Sequence, residues 1–301
     1  MPKTISVPTR CTLCPRRCGA DRAAGRTGFC GAGATLKAAR AALHHWEEPC
    51  ISGTRGSGTV FFSGCTLKCC FCQNYPISAE GLGKEITVEH LAEIFLNLQA
   101  QGAHNINLVT PGQWQPWIIA ALDIARAKGL RLPIVCNTGG YETVESVEAW
   151  RGYIDIWLAD LKYVSSALSA ELSAAPDYFE VAAAAIDEML RQVGPYRIGD
   201  DGLMKSGVII RHLVLPGQLE NTKAVIDYVS AHFPPHTVLF SLMSQYTPQP
   251  GASGALARRL NHAEYRAAVR YMTDCGITDG FCQELSSAKE EYTPAFDLQG
   301  I

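Results

Sequence analysis

The 301-residue sequence predicts an α/β fold, a partial (β/α)6 TIM-like barrel with a cysteine-rich N-terminal segment. Three observations predict this fold. Short apolar runs alternate with helical patterns from residue 58 onwards, polar residues recur where those runs end, and cysteines and glycines punctuate the chain before residue 58. We therefore expect a segment that binds a metal or a cluster, residues 1–57, and a barrel, residues 58–301.

Six apolar runs of strand length are separated by helical patterns. They cover residues 58–63, 105–110, 133–137, 154–160, 207–215 and 237–243. Strands that alternate with helices form right-handed βαβ units and a parallel sheet. Six units are two short of a closed barrel, so one side should stay open. We expect the tail from Phe281 to Gly300 to cover that open edge.

Capping residues and helix breakers mark the helices between the strands. Thr87 is the predicted N-cap of a helix that includes Leu91 and Leu98. Asn261 and Glu264 form a predicted capping box at the start of the last helix. The same signals predict helices over residues 116–129, 143–151, 177–193 and 221–233.

Composition excludes several classes of protein. The net charge is −3 and no basic stripe is present, so the sequence does not resemble a nucleic-acid-binding protein. No apolar run approaches the roughly 20 residues of a membrane helix, and the N-terminus has no signal-peptide core. Twelve cysteines without such a signal indicate thiols and metal ligands in a reducing compartment, and we expect a cytoplasmic protein.

The loop after the first predicted strand carries three cysteines. Cys65, Cys69 and Cys72 have C-x3-C-x2-C spacing, with Phe71 before the last and Asn74 shortly after it. A [4Fe–4S] cluster normally takes four thiolates, so three leave one iron open. An open metal position is what a catalytic site needs.

Two other readings of this loop are open. One is a zinc knuckle that a distant fourth ligand completes. The other is a redox pair of Cys69 and Cys72, which leaves Cys65 and Cys70 without a role.

A second cysteine group lies in the N-terminal segment. It has C-x2-C-x3-C-x11-C spacing and consists of Cys11, Cys14, Cys18 and Cys30. A segment this short cannot build its own core, which favours a metal site over free thiols. Four thiolates suit tetrahedral zinc or an iron–sulfur cluster, and the spacing does not separate the two.

The stretch from Leu36 to Pro49 is ambiguous. Its alanines favour a helix, whereas its apolar spacing is equally compatible with strands that lead into the barrel. Glu47 and Glu48 lie near the end of this stretch. They precede a glycine-rich loop, residues 53–58, which could approach a cofactor or serve as a flexible connection.

The cysteine loop, within the run from Gly58 to Asn74, resembles the signature of the radical S-adenosylmethionine enzymes. More specifically, it is similar to that of pyruvate formate-lyase activating enzymes. The resemblance implies a [4Fe–4S] cluster on Cys65, Cys69 and Cys72, with S-adenosylmethionine on the fourth iron. It also implies reduction by flavodoxin or ferredoxin, and a 5′-deoxyadenosyl radical that takes hydrogen from a substrate.

The resemblance implies a substrate as well, namely a glycine of a partner glycyl-radical enzyme. Radical modification of a small molecule or of another protein is the alternative within the same enzyme class. The alternative from another class is a non-enzymatic iron–sulfur or zinc protein that transfers electrons or acts as a scaffold.

The resemblance also assigns cofactor-binding residues. Asp160 and Lys162 match an Asp-x-Lys pair after the fourth strand, and Arg211 matches an arginine on the fifth. A cation suits the carboxylate of S-adenosylmethionine and an acceptor suits its amine. The acceptor set is predicted to comprise Asn74, Thr110, Asn137 and Asp160.

Two departures from the family pattern concern the same region. Thr110-Pro111-Gly112 replaces a Gly-Gly-Glu stretch, and Gln245-Tyr246 replaces a histidine. They leave open the substrate and whether a monovalent cation binds near Asp160.

Overall fold

A computed structural model describes residues 5–285 and 294–301. Its strands are β1 (Lys37–His44), β2 (Ser57–Phe62), β3 (Lys84–Glu85), β4 (Ile106–Val109), β5 (Ile134–Thr138), β6 (Ile156–Asp160), β7 (Arg197–Ile198), β8 (Met204–Leu213), β9 (Leu239–Met243) and β10 (Gly280–Cys282). The main sheet has the order β10-β9-β8-β6-β5-β4-β2-β1-β3, and β7 pairs with β8.

The six predicted strands form the parallel part of this sheet. Strands β2, β4, β5, β6, β8 and β9 are parallel neighbours in chain order, which is the arrangement of an open barrel. A seventh, short strand, β10, pairs in parallel with β9. Among the described residues β10 and β3 stand at opposite ends of the sheet order, so the barrel is partial, as predicted.

The ambiguous stretch before the barrel is a strand. β1 runs antiparallel to β2, with Ala41 opposite Val60 and His44 opposite Ser57. The helical propensity of its alanines is outweighed because small side chains fit between β2 and the rest of the core, where Ala38 and Ala39 are fully buried. Residues 37–44 thus belong to the barrel sheet, although they lie within the segment predicted to precede it.

Nine α-helices are found among the described residues. They are α1 (Pro49–Ser52), α2 (Tyr75–Ser78), α3 (Val88–Ala100), α4 (Gln115–Ala127), α5 (Val144–Ala149), α6 (Ser166–Ser173), α7 (Tyr178–Val193), α8 (Leu219–His232) and α9 (His262–Asp274). The predicted caps are confirmed: the Thr87 side chain accepts from His90 N, and Asn261 and Glu264 form the capping box. None of these helices is long and apolar enough to cross a membrane.

The two faces of the sheet pack against different partners. The outer face contributes Leu108, Trp157 and Ile210 to the large core shared with the helices. The inner face contributes Val135, Leu158 and other side chains to a smaller cluster with Cys50 and Ile51 of α1. Residues 45–52, which we call the plug segment, therefore close the inside of the barrel beneath the strand ends.

The described parts of the C-terminal tail contact both sides of the sheet. Phe281 lies in β10 at one edge, and the Gln299 carbonyl accepts a hydrogen bond from Ala41 N at the other, with a length of 2.8 Å. Residues 286–293 of the predicted covering tail, and residues 1–4 of the N-terminus, lie outside the described residues.

Candidate functional site

The loop that follows β2 brings three thiols to the carboxyl end of the sheet. Cys65, Cys69 and Cys72 are all partly buried. Each sulfur lies near one polar group: Leu67 N at 3.4 Å from Cys65 Sγ, Ser173 Oγ at 2.9 Å from Cys69 Sγ and Ser78 Oγ at 3.3 Å from Cys72 Sγ. Polar groups aimed at sulfur suit thiolates better than neutral thiols, because a charged acceptor makes the stronger hydrogen bond.

The electrostatics of these thiols fit a cationic ligand. Burial raises the pKa of Cys65 far above its usual range, and the neighbouring charges of Cys69 and Cys72 raise it further. Burial also raises the pKa of Cys69, to about 11, although the Lys162 ammonium opposes that increase. Iron would stabilise the thiolate forms of these buried cysteines, so the donor set fits an iron–sulfur cluster.

A single metal ion fits these residues less well. Across residues 5–285 and 294–301, no three His, Cys, Asp or Glu side chains are placed as ligands of one ion. Zinc needs its ligands at about 2.0–2.3 Å from one point. An iron–sulfur cluster has several irons to which thiolates bond, so its cysteines need not converge on one point.

A buried charge cluster lies next to the loop and is built around Arg211. Its guanidinium donates to Asp160 Oδ1 at 3.0 Å, to Asn137 Oδ1 at 2.6 Å and to Glu47 Oε2 at 3.1 Å. Lys162 Nζ binds the other oxygen of Asp160 at 2.5 Å. Burial opposes both cations, but the neighbouring carboxylates outweigh it and raise the pKa of Arg211 and of Lys162. Both cations therefore stay charged near neutral pH.

Four of the six predicted cofactor-binding residues meet in this cluster, namely Asn137, Asp160, Lys162 and Arg211. The Lys162 charge also acts on Cys69, which joins the cluster to the cysteine loop. Asn74 faces the cluster across a gap of about 120 Å³ that Asn137 and Arg211 also line.

Thr110 contacts this group through its backbone. It has a left-handed backbone, with a φ of 54°, and its amide donates to the Asn137 carbonyl at 2.8 Å. Its carbonyl accepts from Gln113 Nε2 at 2.8 Å. The described contacts of Thr110 thus hold the end of β4 in shape.

The plug segment supplies a residue that the sequence did not assign to the site. Glu47 accepts hydrogen bonds from Asn107 Nδ2 at 3.0 Å, from Asn137 Nδ2 at 3.1 Å and from Arg211. The signal in the sequence was two adjacent acids between a strand and a glycine-rich loop. That pattern is also typical of a solvated turn. The role of Glu47 becomes visible only in the structure, where the chain enters the barrel.

Tyr178 is a second residue that sequence reasoning missed. It is fully buried at the start of α7, and its hydroxyl lies 2.7 Å from the Asp160 carbonyl and 2.9 Å from the Gly139 carbonyl. It also accepts from Lys162 N at 3.0 Å. The hydroxyl therefore ties the ends of β5 and β6 together beneath the charge cluster.

The four N-terminal cysteines lie close to one another, next to the cysteine loop. Burial raises the pKa of Cys14 to about 12, and the charges of Cys30 and Cys11 contribute to the increase. Burial raises that of Cys30, with contributions from Cys11 and Cys18. A Cβ at Gly28 would lie 2.8 Å from Cys18 Sγ and 3.9 Å from Cys30 Sγ, so glycine leaves this space to the sulfurs.

Comparisons with known proteins agree with this fold. No protein-family model matches the chain. The uncharacterized protein MJ0674 of Methanocaldococcus jannaschii is 29% identical in an alignment of 269 positions, which covers 86% of this chain and 73% of that protein. SuiB of Streptococcus suis is 16% identical with a TM-score of 0.51, over 77% of this chain and 50% of SuiB. The chain thus spans half the length of SuiB.

A domain of a pyruvate-formate lyase-activating enzyme from Bacteroides vulgatus is also similar. It is 14% identical with a TM-score of 0.41, over 57% of this chain and 92% of that domain. SuiB has the higher TM-score of the two structures. The chain therefore has the fold of SuiB, and its three predicted cluster ligands lie at the end of the first parallel strand, on the loop that resembles the radical S-adenosylmethionine signature.

Proposed function

We propose that this chain is a radical S-adenosylmethionine enzyme. The observation that carries the proposal is the position of three partly buried thiols, Cys65, Cys69 and Cys72, next to the Asp160–Lys162–Arg211 cluster. When bound, a [4Fe–4S] cluster on these cysteines would supply the electron that cleaves S-adenosylmethionine to a 5′-deoxyadenosyl radical.

The protein's own residues bind and orient the cofactor. Arg211 and Lys162 offer cations to a carboxylate, and Asn74 and Asn137 offer amide oxygens to an amine. The plug segment closes the barrel from the other side, with Glu47 only 10% exposed, and so keeps water away from this region. Reduction by a flavodoxin or a ferredoxin belongs to the same proposal.

Glycyl-radical enzyme activation is the finer proposal. It rests on the likeness of the run from Gly58 to Asn74 to activating enzymes. The partial barrel supports it, because an open side can admit a loop of a partner protein. Radical modification of a small molecule or of another protein uses the same cofactor site, so the two differ in substrate alone.

The N-terminal thiols form part of the proposal as a second site for zinc or an iron–sulfur cluster. As at the cysteine loop, no three described side chains are placed as ligands of one ion, which favours the cluster over zinc. The four cysteines, Cys11, Cys14, Cys18 and Cys30, are electrostatic neighbours, and Gly28 leaves space for two of the sulfurs. Metal analysis of a variant with Cys65, Cys69 and Cys72 all replaced by Ala would identify the metal that remains. Absence of metal in this variant would overturn the second site.

The test of the main proposal is anaerobic reconstitution with iron and sulfide, followed by reduction and addition of S-adenosylmethionine. We expect 5′-deoxyadenosine from the wild type and none from Cys69→Ala. Cys70→Ala is the matched control, because Cys70 is an exposed thiol of the same loop. Cleavage by Cys69→Ala at the wild-type rate would overturn the assignment. A reconstituted wild type that never cleaves the cofactor would favour an electron-transfer or scaffold protein.

A further inference from the structure

A cavity of about 410 Å³, lined in part by charged side chains, lies beside the proposed cofactor site. It lies between the plug segment and the strands β8, β9 and β10. Glu47, Glu48 and Arg211 line it on the charged side, and Trp46, Met243 and Phe281 line it with apolar surface. A charged end and an apolar wall suit a ligand that has both characters.

Glu48 is the side chain in this cavity whose bonding is incomplete. It is 91% buried, since only 9% of its surface is exposed. Ser241 hydrogen-bonds the carboxyl group, yet Oε2 has no hydrogen-bond partner among the described residues. A buried oxygen without a partner lowers stability unless a ligand satisfies it.

Burial raises the pKa of Glu48, and the charge of Glu47 adds to the increase while Arg211 opposes it. The carboxyl groups in this region also outnumber the cations. Three carboxyl groups, of Glu47, Glu48 and Asp160, face two cations, Lys162 and Arg211. Lys162 is paired with Asp160, and Arg211 is paired with Asp160 and Glu47. Among the described residues, neither Lys162 nor Arg211 forms an ion pair with Glu48.

We infer that this cavity binds the substrate of the enzyme through a protonated amine carried on a short apolar stem. The ammonium donates to Glu48 Oε2 and stabilises the ionised form of this carboxyl group, while the stem lies against Met243 and Phe281. This inference rests on the proposed function. The cavity shares Glu47, Arg211 and Gln245 with the gap beside Asn74, so a bound stem lies next to the cofactor site.

Binding can be measured without turnover, through the thiol of Cys282. This residue is exposed and lines the cavity, so an occupant slows its alkylation by iodoacetamide. Cys275 lies outside the cavity and serves as the internal reference. In the reconstituted enzyme we expect n-pentylamine to slow alkylation of Cys282 at least roughly threefold. Pentanol and pentanoate at the same concentration should have little effect. Equal protection by pentanol, or protection by pentanoate, would overturn the inference.

Two variants test the role of the carboxyl group. Glu48→Gln should raise the half-protecting concentration of pentylamine roughly tenfold or more, because it removes a charge-assisted bond. Glu85→Gln removes the same charge from an exposed position on β3 and should leave that concentration unchanged. An unchanged value for a folded Glu48→Gln protein would refute the inference. If that variant does not fold, the comparison of pentylamine, pentanol and pentanoate on the wild-type protein tests the inference by itself.

A final measurement distinguishes the proposed substrate position from the cofactor position. Saturating S-adenosylmethionine should leave the protection by pentylamine intact, because we assign the two molecules to different positions. Mutual displacement would instead place the cofactor on Glu48 and overturn the inference. Failure to cleave S-adenosylmethionine would contradict the proposed function but would not change the amine result, so the two failures are distinguishable.

Discussion

The backbone amide of Cys65 donates a hydrogen bond to the carbonyl oxygen of Cys30, 3.3 Å away. The first predicted ligand of one cysteine group is thus bonded to the last cysteine of the other. Arg16 strengthens this link, because its guanidinium donates to the Thr66 carbonyl at 2.8 Å and to the Ala174 carbonyl at 2.5 Å. The N-terminal segment therefore holds the cysteine loop in place.

Replacing Gly64 tests this link. Gly64 has a φ of 85°, and a Cβ there would lie 2.5 Å from the Cys30 carbonyl oxygen. We expect Gly64→Ala to reduce the free energy of unfolding by about 1–3 kcal/mol from overpacking, beyond the cost of the left-handed backbone. Denaturant unfolding measures this loss, and iron content measures cluster retention, which should also fall.

Gly152→Ala is the control for backbone strain. Gly152 has a φ of 80°, and no atom lies within 4 Å of an added Cβ. Its loss should be only about 1–2 kcal/mol, which is the cost of a left-handed L-residue. Equal losses in the two variants would show that the contact between Gly64 and Cys30 is unimportant.

Ser173 is expected to affect the reduction potential of the proposed iron–sulfur cluster. The Tyr163 hydroxyl lies 2.7 Å from Ser173 Oγ, which donates to Cys69 Sγ at 2.9 Å. A hydrogen bond to a ligand sulfur favours the reduced cluster. Ser173→Ala should therefore lower the reduction potential by on the order of tens of millivolts, as measured by redox titration with electron paramagnetic resonance.

The control for this prediction lies on the same helix. Ser169 is buried on α6, and its hydroxyl donates to the Ser166 carbonyl at 3.0 Å. Ser169→Ala should leave the potential unchanged. A shift of the same size in both variants would point to disturbance of α6 instead of the loss of one hydrogen bond.

Arg211 is expected to be essential for stability. Its removal leaves the buried carboxylate of Glu47 without its ion-pair partner and that of Asp160 with Lys162 alone. We expect Arg211→Ala to lower the free energy of unfolding by roughly 3–5 kcal/mol, which is typical of a broken buried ion pair. Arg26→Ala, at an exposed pair with Asp21, should change denaturant unfolding little. A loss at Arg211 no larger than that at Arg26 would contradict the buried cluster.

Stability should also depend on pH through Glu142. Burial raises the pKa of this carboxyl group from 4.5 to about 7, although Thr138 opposes the increase. Between these values the folded protein keeps a proton that the unfolded chain has lost, so stability falls as the pH rises from 4.5 to 7. The full loss, of about 3 kcal/mol, is present above pH 7.

Glu142→Gln tests this pH dependence, because the amide has no proton to lose. The variant should be more stable than the wild type at pH 8, and the difference should shrink towards pH 5. Denaturant unfolding across this range gives both profiles. Parallel profiles for the two proteins would exclude Glu142 as the source.

Local patterns in the sequence were sufficient for the framework of the fold. The Thr87 N-cap and the capping box of Asn261 and Glu264 involve residues three apart, so the sequence predicts them directly. The six parallel strands follow from apolar runs between helices. The stretch from Lys37 to His44 could not be decided in this way, because its alanines suit either state and pairing with β2 selects the strand.

The sequence by itself determined the cysteine loop and its family resemblance, because the spacing of Cys65, Cys69 and Cys72 is local. Only the tertiary structure decided the surroundings of that loop. Glu47 and Arg211 are 164 residues apart in the chain, yet their side chains meet at 3.1 Å inside the barrel. The physical reason is that a buried charge must find its partner wherever the fold brings one, and sequence separation does not limit that choice.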